Sequence, residues 1–344
     1  MLALAAARLG LKAHIYAPET DSPAFDVAAA HTMAAYDDEQ ALSGFSQAIG
    51  AATYEFENIP VSTVEFLAKR VTVRPGAKAL ACAQDRINEK VLARELGAMT
   101  ADFAAIDSLA SLQSTLRTIA PPAVLKTRRL GYDGKGQAKI LNLEDAKAAW
   151  DAMHGQPSIL EAFVNFSREV SVVAARSADG EFRAFDVTEN EHRNHILHRS
   201  IAPARMSTEA RDAAIAIAKA IGERLDYVGV YAIEFFAKDQ SGGGVVMCVN
   251  EMAPRVHNSG HWTMDGCETS QFEQHIRAVA GWPLGSTKMT SPGAEMINLI
   301  GDDVLAWRKI AAEPGSYLHH YGKKDARPGR KMGHVNYRLS KAPQ

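Results

Sequence analysis

Two apolar runs flank a glycine turn in Gly229-Val-Tyr-Ala-Ile-Glu234-Phe-Phe-Ala-Lys-Asp-Gln-Ser-Gly-Gly-Gly244-Val-Val-Met-Cys-Val-Asn250-Glu251-Met-Ala-Pro254, and the pattern predicts a β-hairpin. A reversal centred on Gly242 and Gly243 sets Glu234 opposite Glu251. Directly opposed residues on antiparallel strands hold their Cβ atoms about 4.5–5.5 Å apart, and like charges there are destabilising. The pair therefore needs compensation. A divalent cation supplies it, since one or two carboxylates plus substrate phosphates are the usual oxygen ligands of Mg²⁺ at nucleotide sites. A bulge that turns one Glu to solvent, or a Lys or Arg partner, supplies it equally well.

The same patterning divides the rest of the chain into αβ units. An alanine-rich helix over residues 1–9 ends at Gly10, and Ala13–Ala17 reads as a strand. A βαβ crossover buries its helix against two strands, so a strand and turn are expected before this helix. Helices near Asp38–Ile49 and Val61–Arg70 alternate with strands Ala52–Glu57 and Val71–Arg74, which suggests an open parallel sheet. Asp85 can cap a helix from Arg86 to Leu96. Strands Ala123–Lys126, Gln137–Leu141 and Ser158–Val164 with helix Leu143–Met153 form a small α+β unit. Strands Glu169–Ala175 and Phe182–Thr188 and helix Glu209–Leu225 then lead into the hairpin. The expected domains are 1–97, 98–168 and 169–344.

Three loops carry candidate chemistry. Thr127-Arg-Arg-Leu-Gly-Tyr-Asp-Gly-Lys-Gly136 sets glycines among cations, a combination that can cradle phosphate through backbone N–H groups but that also occurs in plain connections. Arg255-Val-His257-Asn258-Ser-Gly-His261 leaves the hairpin beside the carboxylates and is a candidate substrate clamp. Zinc at His257, His261 and Cys267 is the weaker alternative, because adjacent carboxylates favour a harder cation. Arg327-Pro-Gly-Arg330-Lys331 groups cations about a turn, as a phosphate monoester requires, although a solvated basic turn has the same composition.

Composition narrows the setting. The chain has 344 residues, 47% of them hydrophobic, and a formal charge of -2, so it fits two or three globular domains with no electrostatic footprint for nucleic acid or an anionic membrane. Cys82, Cys248 and Cys267 show no paired spacing, as a reducing cytoplasm allows. No apolar run approaches the roughly 20 residues of a membrane span, and Arg8 and Lys12 interrupt the only leader-like segment.

Taken in order, Gln84-Asp-Arg86, Val124-Leu-Lys126, Gly131-Tyr-Asp-Gly-Lys-Gly-Gln137, Glu161-Ala-Phe-Val164, Ser167-Arg-Glu169, Glu234, Asn250-Glu251, Pro254-Arg-Val-His-Asn-Ser-Gly-His-Trp262 and Arg327-Pro-Gly-Arg-Lys331 resemble the 5-(carboxyamino)imidazole ribonucleotide synthases, ATP-grasp enzymes of purine biosynthesis. The resemblance covers nearly the whole chain. It implies an ATP-grasp architecture, with an N-terminal open parallel α/β domain, a small lid domain and a larger C-terminal mixed-sheet domain. It also implies ATP-dependent carboxylation of aminoimidazole ribonucleotide by bicarbonate, through carboxyphosphate. Another ATP-grasp ligase, or a nucleotide-binding protein without activity, is the alternative.

Carried over by motif, Arg86, Lys126 and the segment Gly131, Tyr132, Asp133, Gly134, Lys135, Gly136, Gln137 would hold ATP phosphates. Glu161, Ala162, Phe163 and Val164 would meet the adenine, Glu169 the ribose, and His192 would lie near the nucleotide. Glu234, Glu251 and Asn250 would hold one or two Mg²⁺ ions. Tyr132, Lys135 and Arg255 would bind carboxyphosphate, while His257 would orient the ribonucleotide amine or accept its proton. Glu57, Arg255, His257 and Asn258 would contact the ribonucleotide, and Arg330 and Lys331 its phosphate. The expected assembly is a cytoplasmic homodimer. Family members open with a strand and a Gly-Gln-Leu-Gly-type turn, which is expected to be missing here, leaving ATP binding intact and ribonucleotide binding weakened.

Overall fold

Gly229–Asp239 and Val245–Ala253 pair antiparallel inside a ten-stranded sheet in the computed structural model, which describes residues 1–131, 136–240 and 244–343. Side chains along a strand alternate between faces, and each face of the hairpin meets its own core. Tyr231, Ile233 and Phe235 pack on one side with Val249 and Met252, and Val230, Ala232 and Ala253 on the other. Helix Thr208–Arg224 covers the first side through Ala214, Ala218 and Ile221. Helix Gln271–Ala280 covers the second through Phe272 and Ala278.

Glu234 does face Glu251, by a route the hydrophobic pattern does not reveal. From Asp239↔Val245 to Phe235↔Val249 the strands pair one residue out of the register that would align the carboxylates, and a bulge then takes up Asn250 so that Glu234 meets Glu251. The expected reversal at Gly242 and Gly243 lies outside the described residues.

Close approach of helix to sheet requires a glycine at one place. A Cβ on Gly222 would lie 2.2 Å from Tyr231 Oη, and that hydroxyl donates to the Ala218 carbonyl at 2.7 Å. Gly222→Ala is therefore expected to destabilise the fold by about 1–3 kcal/mol through overpacking. Denaturant unfolding checks this, and an unchanged midpoint would show that the helix can move away freely.

The smaller unit is a four-stranded antiparallel sheet in the order Phe103–Ile106, Ser158–Ala162, Ala123–Thr127, Gln137–Ile140. Ile106, Leu125, Ile140 and Leu160 form its core beneath helices Leu109–Thr115 and Ala146–Ala152. Met99–Thr100 pairs with the hairpin at Cys248 and Val249 and so belongs to the large sheet.

The N-terminal region has the expected parallel pairing, divided into two separate pairs. His14–Ala17 joins Ala30–Met33, and Ala51–Ala52 joins Thr72–Val73; no described strand connects them. The strand predicted over Ala52–Glu57 stops at Ala52, because Tyr54 turns into a buried cluster with Ile59, Val64 and Leu80. That turn carries Glu57 to the edge of the cleft. Helix Leu2–Arg8 buries Leu2, Ala3, Ala5 and Ala6, and Gly10 takes φ +74° just past its end.

Candidate active site

Away from its turn, the hairpin faces a cleft of about 690 Å³ between the large sheet, the smaller sheet and the N-terminal unit. Glu234, Asn250 and Glu251 all line it. Consecutive strand residues normally point to opposite faces, and the bulge is what lets Asn250 and Glu251 face the same cavity. In this structure each carboxylate has a cationic or imidazole neighbour, the compensation by a basic side chain that the sequence left open. Arg86 Nη1 donates to Glu251 Oε2 at 2.9 Å, and His257 Nε2 lies 3.1 Å from Glu234 Oε1. Burial pushes the Glu251 carboxyl up, but Arg86, with help from Lys126, holds it down at about 2.

These groups fit a hard cation. Glu234, Glu251 and Asn250 offer oxygen only, and Asn250 Oδ1 is buried with no hydrogen-bond partner, as expected of a donor aimed at something else. No group of three or more His, Cys, Asp or Glu among the described residues is arranged to hold a metal by itself. The zinc alternative has no such geometry: the His261 ring lies tilted against His334 and accepts from Gln271, and Cys267 is buried, with its pKa raised by that burial.

The wall that carries the nucleotide candidates is built on the helix Arg86–Glu95 and the smaller sheet. Asp85 caps the helix by accepting from the Ile87 N–H at 3.0 Å. Arg86 also donates to the Gly131 carbonyl at 3.1 Å. Lys126 Nζ donates to Glu161 Oε2 at 3.0 Å, and Lys90, one helical turn after Arg86, reaches the same oxygen at 3.3 Å. Glu161 Oε1 is buried and without a partner. Arg128 pairs with Asp85 at 2.6 Å and Arg129 with Gln84 Oε1 at 2.6 Å. Both cations that flank the glycine loop therefore tie it to the helix start. At the loop's end Gly136 has φ +69°, and a Cβ there would lie 2.7 Å from Thr127 Oγ1.

Burial pushes the Glu161 carboxyl up, and Lys126 and Lys90 outweigh it, holding it below its ordinary 4.5. Glu161→Gln leaves two buried ammonium groups without their shared carboxylate and is expected to cost about 3–5 kcal/mol. Because the folded value is lowered, this contribution is fully present above 4.5 and is lost as pH falls through the lowered value. The stability gap between wild type and variant should be constant at neutral pH and close in acid. A gap that widens in acid would contradict the assignment.

The opposite wall belongs to the second substrate candidates. Arg255 grips Glu57 with two bonds, Nε to Oε2 at 3.0 Å and Nη2 to Oε1 at 3.0 Å. Asn258 and Asn298 exchange amide hydrogen bonds at 3.0 and 2.8 Å. Among the nucleotide candidates that also line the cleft, His192 Nδ1 lies 2.5 Å from Glu169 Oε2. Burial lowers this histidine's pKa, but Glu169 outweighs that and leaves it raised.

Most of the sequence candidates thus meet in one cleft: Gln137, Ala162, Phe163, Val164 and Lys331 line it with the groups already named. Arg330 does not. Its Nη1 turns to the Asp325 carbonyl at 3.0 Å. Tyr132, Asp133, Gly134 and Lys135 lie outside the described residues. Sequence reasoning missed Lys90 and Glu89, although Lys90 follows Arg86 by four positions and so shares its helix face. Glu89 accepts from the Met252 N–H at 2.9 Å, and burial lifts its pKa well above the usual carboxylate range.

Three family models match along the chain. The ribonucleotide synthetase preATP-grasp domain matches residues 1–84, the ATP-grasp domain 91–272, and the phosphoribosylaminoimidazole carboxylase C-terminal domain 294–344. The chain is similar to the N5-carboxyaminoimidazole ribonucleotide synthase of Brucella melitensis biotype 1, with 47% identity over 97% of this chain and 92% of the relative. The Pseudomonas aeruginosa enzyme of that name is 44% identical over 99% and 91%. Among solved structures, the N5-carboxyaminoimidazole ribonucleotide synthetase from Thermus thermophilus superposes with a TM-score of 0.91 at 44% identity, covering 99% of this chain and 91% of that one. An Aspergillus clavatus N5-carboxyaminoimidazole synthase complexed with ADP and 5-aminoimidazole ribonucleotide gives 0.90 at 26% identity over 99% and 91%. With an ATP-grasp domain across its centre and this identity along nearly its full length, the chain belongs to the N5-carboxyaminoimidazole ribonucleotide synthase family of ATP-grasp enzymes.

Proposed function

We propose that the chain is an ATP-dependent carbon–nitrogen ligase that carboxylates 5-aminoimidazole ribonucleotide with bicarbonate, giving the N5-carbamate, ADP and phosphate. The observation that carries this reading is the single cleft in which the Lys126–Glu161 wall and the Glu57–Arg255 wall face each other across Glu234, Asn250 and Glu251. Bicarbonate oxygen takes the γ-phosphoryl group to form carboxyphosphate. The ribonucleotide amine then bonds to its carbon, phosphate leaves with the C–O bonding pair, and the amine gives up one proton.

The residues divide this work by charge. Lys126 and Arg86 lie where phosphate oxygens can draw their N–H groups. Glu161 presents its unpartnered oxygen as an acceptor for an exocyclic amine. A divalent cation held by Glu234, Glu251 and Asn250 would supply further neutralisation of phosphate charge. Arg255, freed from Glu57, offers a planar two-pronged donor that matches a carboxylate or phosphate, and Glu57, freed in turn, accepts from the donor groups of the ribonucleotide, its amine or hydroxyls. Lys331 serves the ribonucleotide phosphate. We read the assembly as a cytoplasmic homodimer, for which sedimentation is the check.

The test is ADP release by the purified chain with Mg-ATP and bicarbonate, with and without the ribonucleotide, beside calorimetric titration of each substrate. Ribonucleotide-dependent ADP release with carbamate formation is the expected result. ATP binding without ribonucleotide binding would instead favour a silent nucleotide-binding protein, and turnover with a different acceptor would favour another ligase.

A further inference from the structure

A chain of hydrogen bonds runs through the large sheet and ends on His257. Ser200 Oγ donates to Asn190 Oδ1 at 2.8 Å, Asn190 Nδ2 donates to Ser171 Oγ at 3.0 Å, Ser171 Oγ lies 2.7 Å from Ser259 Oγ, and Ser259 Oγ lies 2.8 Å from His257 Nδ1. All four partners are buried, three of them completely. Such a series in a strand core needs a reason, because each hydroxyl or amide there must be satisfied and an apolar residue would meet no such demand.

The histidine end fixes the sense of the chain. His257 Nε2 lies 3.1 Å from Glu234 Oε1, and the sense is set at the other ring nitrogen, since a neutral ring with its lone pair on Nδ1 carries its proton on Nε2. The backbone N–H of Ser259 points at Nδ1 at 3.4 Å, with His257 acting as the cap of the turn Asn258–Gly260. A donor there requires a lone pair on Nδ1. The same lone pair takes the Ser259 hydroxyl proton, leaving Ser259 Oγ to accept from Ser171 and Ser171 Oγ to accept from Asn190. The Asn190 amide has one donating and one accepting end, and its two partners are placed for this sense. Every bond then runs from Ser200 toward Glu234.

We propose that Ser259, backed by Ser171, Asn190 and Ser200, is a positioning residue that selects the Nε2–H tautomer of His257. The inference rests on the reading of His257 as a substrate-facing group of the proposed reaction, and deepens it. Of the two roles the family resemblance allows that histidine, orienting and accepting a proton, the chain selects orienting. Nε2 presents an N–H to carboxylate-type oxygens, whether those of Glu234 or of the carboxyl group being transferred, and has no lone pair to offer the ribonucleotide amine. Geometry of this kind is how second partners of an imidazole decide which nitrogen acts.

The test is a long-range ¹H–¹⁵N correlation spectrum of the full chain labelled at histidine, with His257 assigned by its loss in His257→Gln. The expected wild-type pattern has Nδ1 unprotonated and Nε2 protonated. Ser259→Ala, which removes one of the two donors to Nδ1, is expected to shift the pattern toward the other tautomer and to lower kcat roughly tenfold with the KM for ATP unchanged. A wild-type His257 protonated at Nδ1, or a folded Ser259→Ala protein with an unaltered pattern, overturns the proposal. If Ser259→Ala fails to fold, the wild-type pattern alone decides. An absence of turnover in a wild-type protein with the expected tautomer would count against the proposed reaction and leave the tautomer assignment standing.

Discussion

Glu251→Gln is expected to lower ribonucleotide-dependent ADP release by roughly 10²–10³-fold, the usual effect of removing one preorganised electrostatic group from a reaction centre. The exchange keeps shape and hydrogen-bonding capacity and deletes one charge, so packing of the bulged strand is preserved. Two functions of that charge disappear together. It balances Arg86 at 2.9 Å, and it is one of two carboxylates across the hairpin that a divalent cation would share. Without it Arg86 is free to bind the nucleotide phosphates in a different place, which retains affinity while spoiling alignment. ATP affinity by calorimetry should accordingly fall much less than kcat. Raising Mg²⁺ should recover little of the loss, and turnover near wild type at saturating Mg²⁺ would remove the paired carboxylates from the mechanism.

Arg255→Lys is expected to reduce kcat/KM for the ribonucleotide by roughly 10- to 150-fold while sparing the KM for ATP. The arginine holds both oxygens of Glu57 with parallel bonds of 3.0 Å, the geometry in which a guanidinium recognises any carboxylate. A lysine replaces that fork with one point charge. Losing one charge-assisted bond of about 1.5–3 kcal/mol gives the stated range at 1.4 kcal/mol per tenfold. The kinetic split is the diagnostic part. An equal rise in the KM for ATP would place Arg255 on the nucleotide side of the cleft, and an unchanged kcat/KM for the ribonucleotide would make the Glu57 pair a structural contact only.

The parts of this molecule that were legible in the sequence are those governed by local periodicity and by motifs short enough to name. The hairpin, the helix capped by Asp85 and the basic loop before Gln137 follow from spacing, and the cleft then gathers residues that the motifs had already grouped. What stayed hidden depends on contacts between distant segments. Lys90 reads as an ordinary helix lysine until Glu161 of another sheet is placed beside it. Ser171 and Ser200 are inconspicuous in their strands, and with Asn190 they form a row only once the strands are side by side and the turn brings Ser259 against them. The alignment of Glu234 with Glu251 was anticipated, but the strands reach it through a bulge and not through the even register assumed for it.

That bulge has a consequence for how the strand responds to loss of a residue. A deletion within a buried strand ordinarily moves every following side chain to the wrong face. At Asn250 the opposite holds, because Val249 and Met252 point to one core with two residues between them, where strict alternation would leave one. Removing Asn250 would restore regular alternation with Val249 and Met252 still inward, Ala253 still on its own side and Glu251 still toward the cleft. In this strand a frame-preserving deletion is thus a mild change for the fold, and what it removes is the buried, unpartnered Asn250 oxygen that lines the cleft.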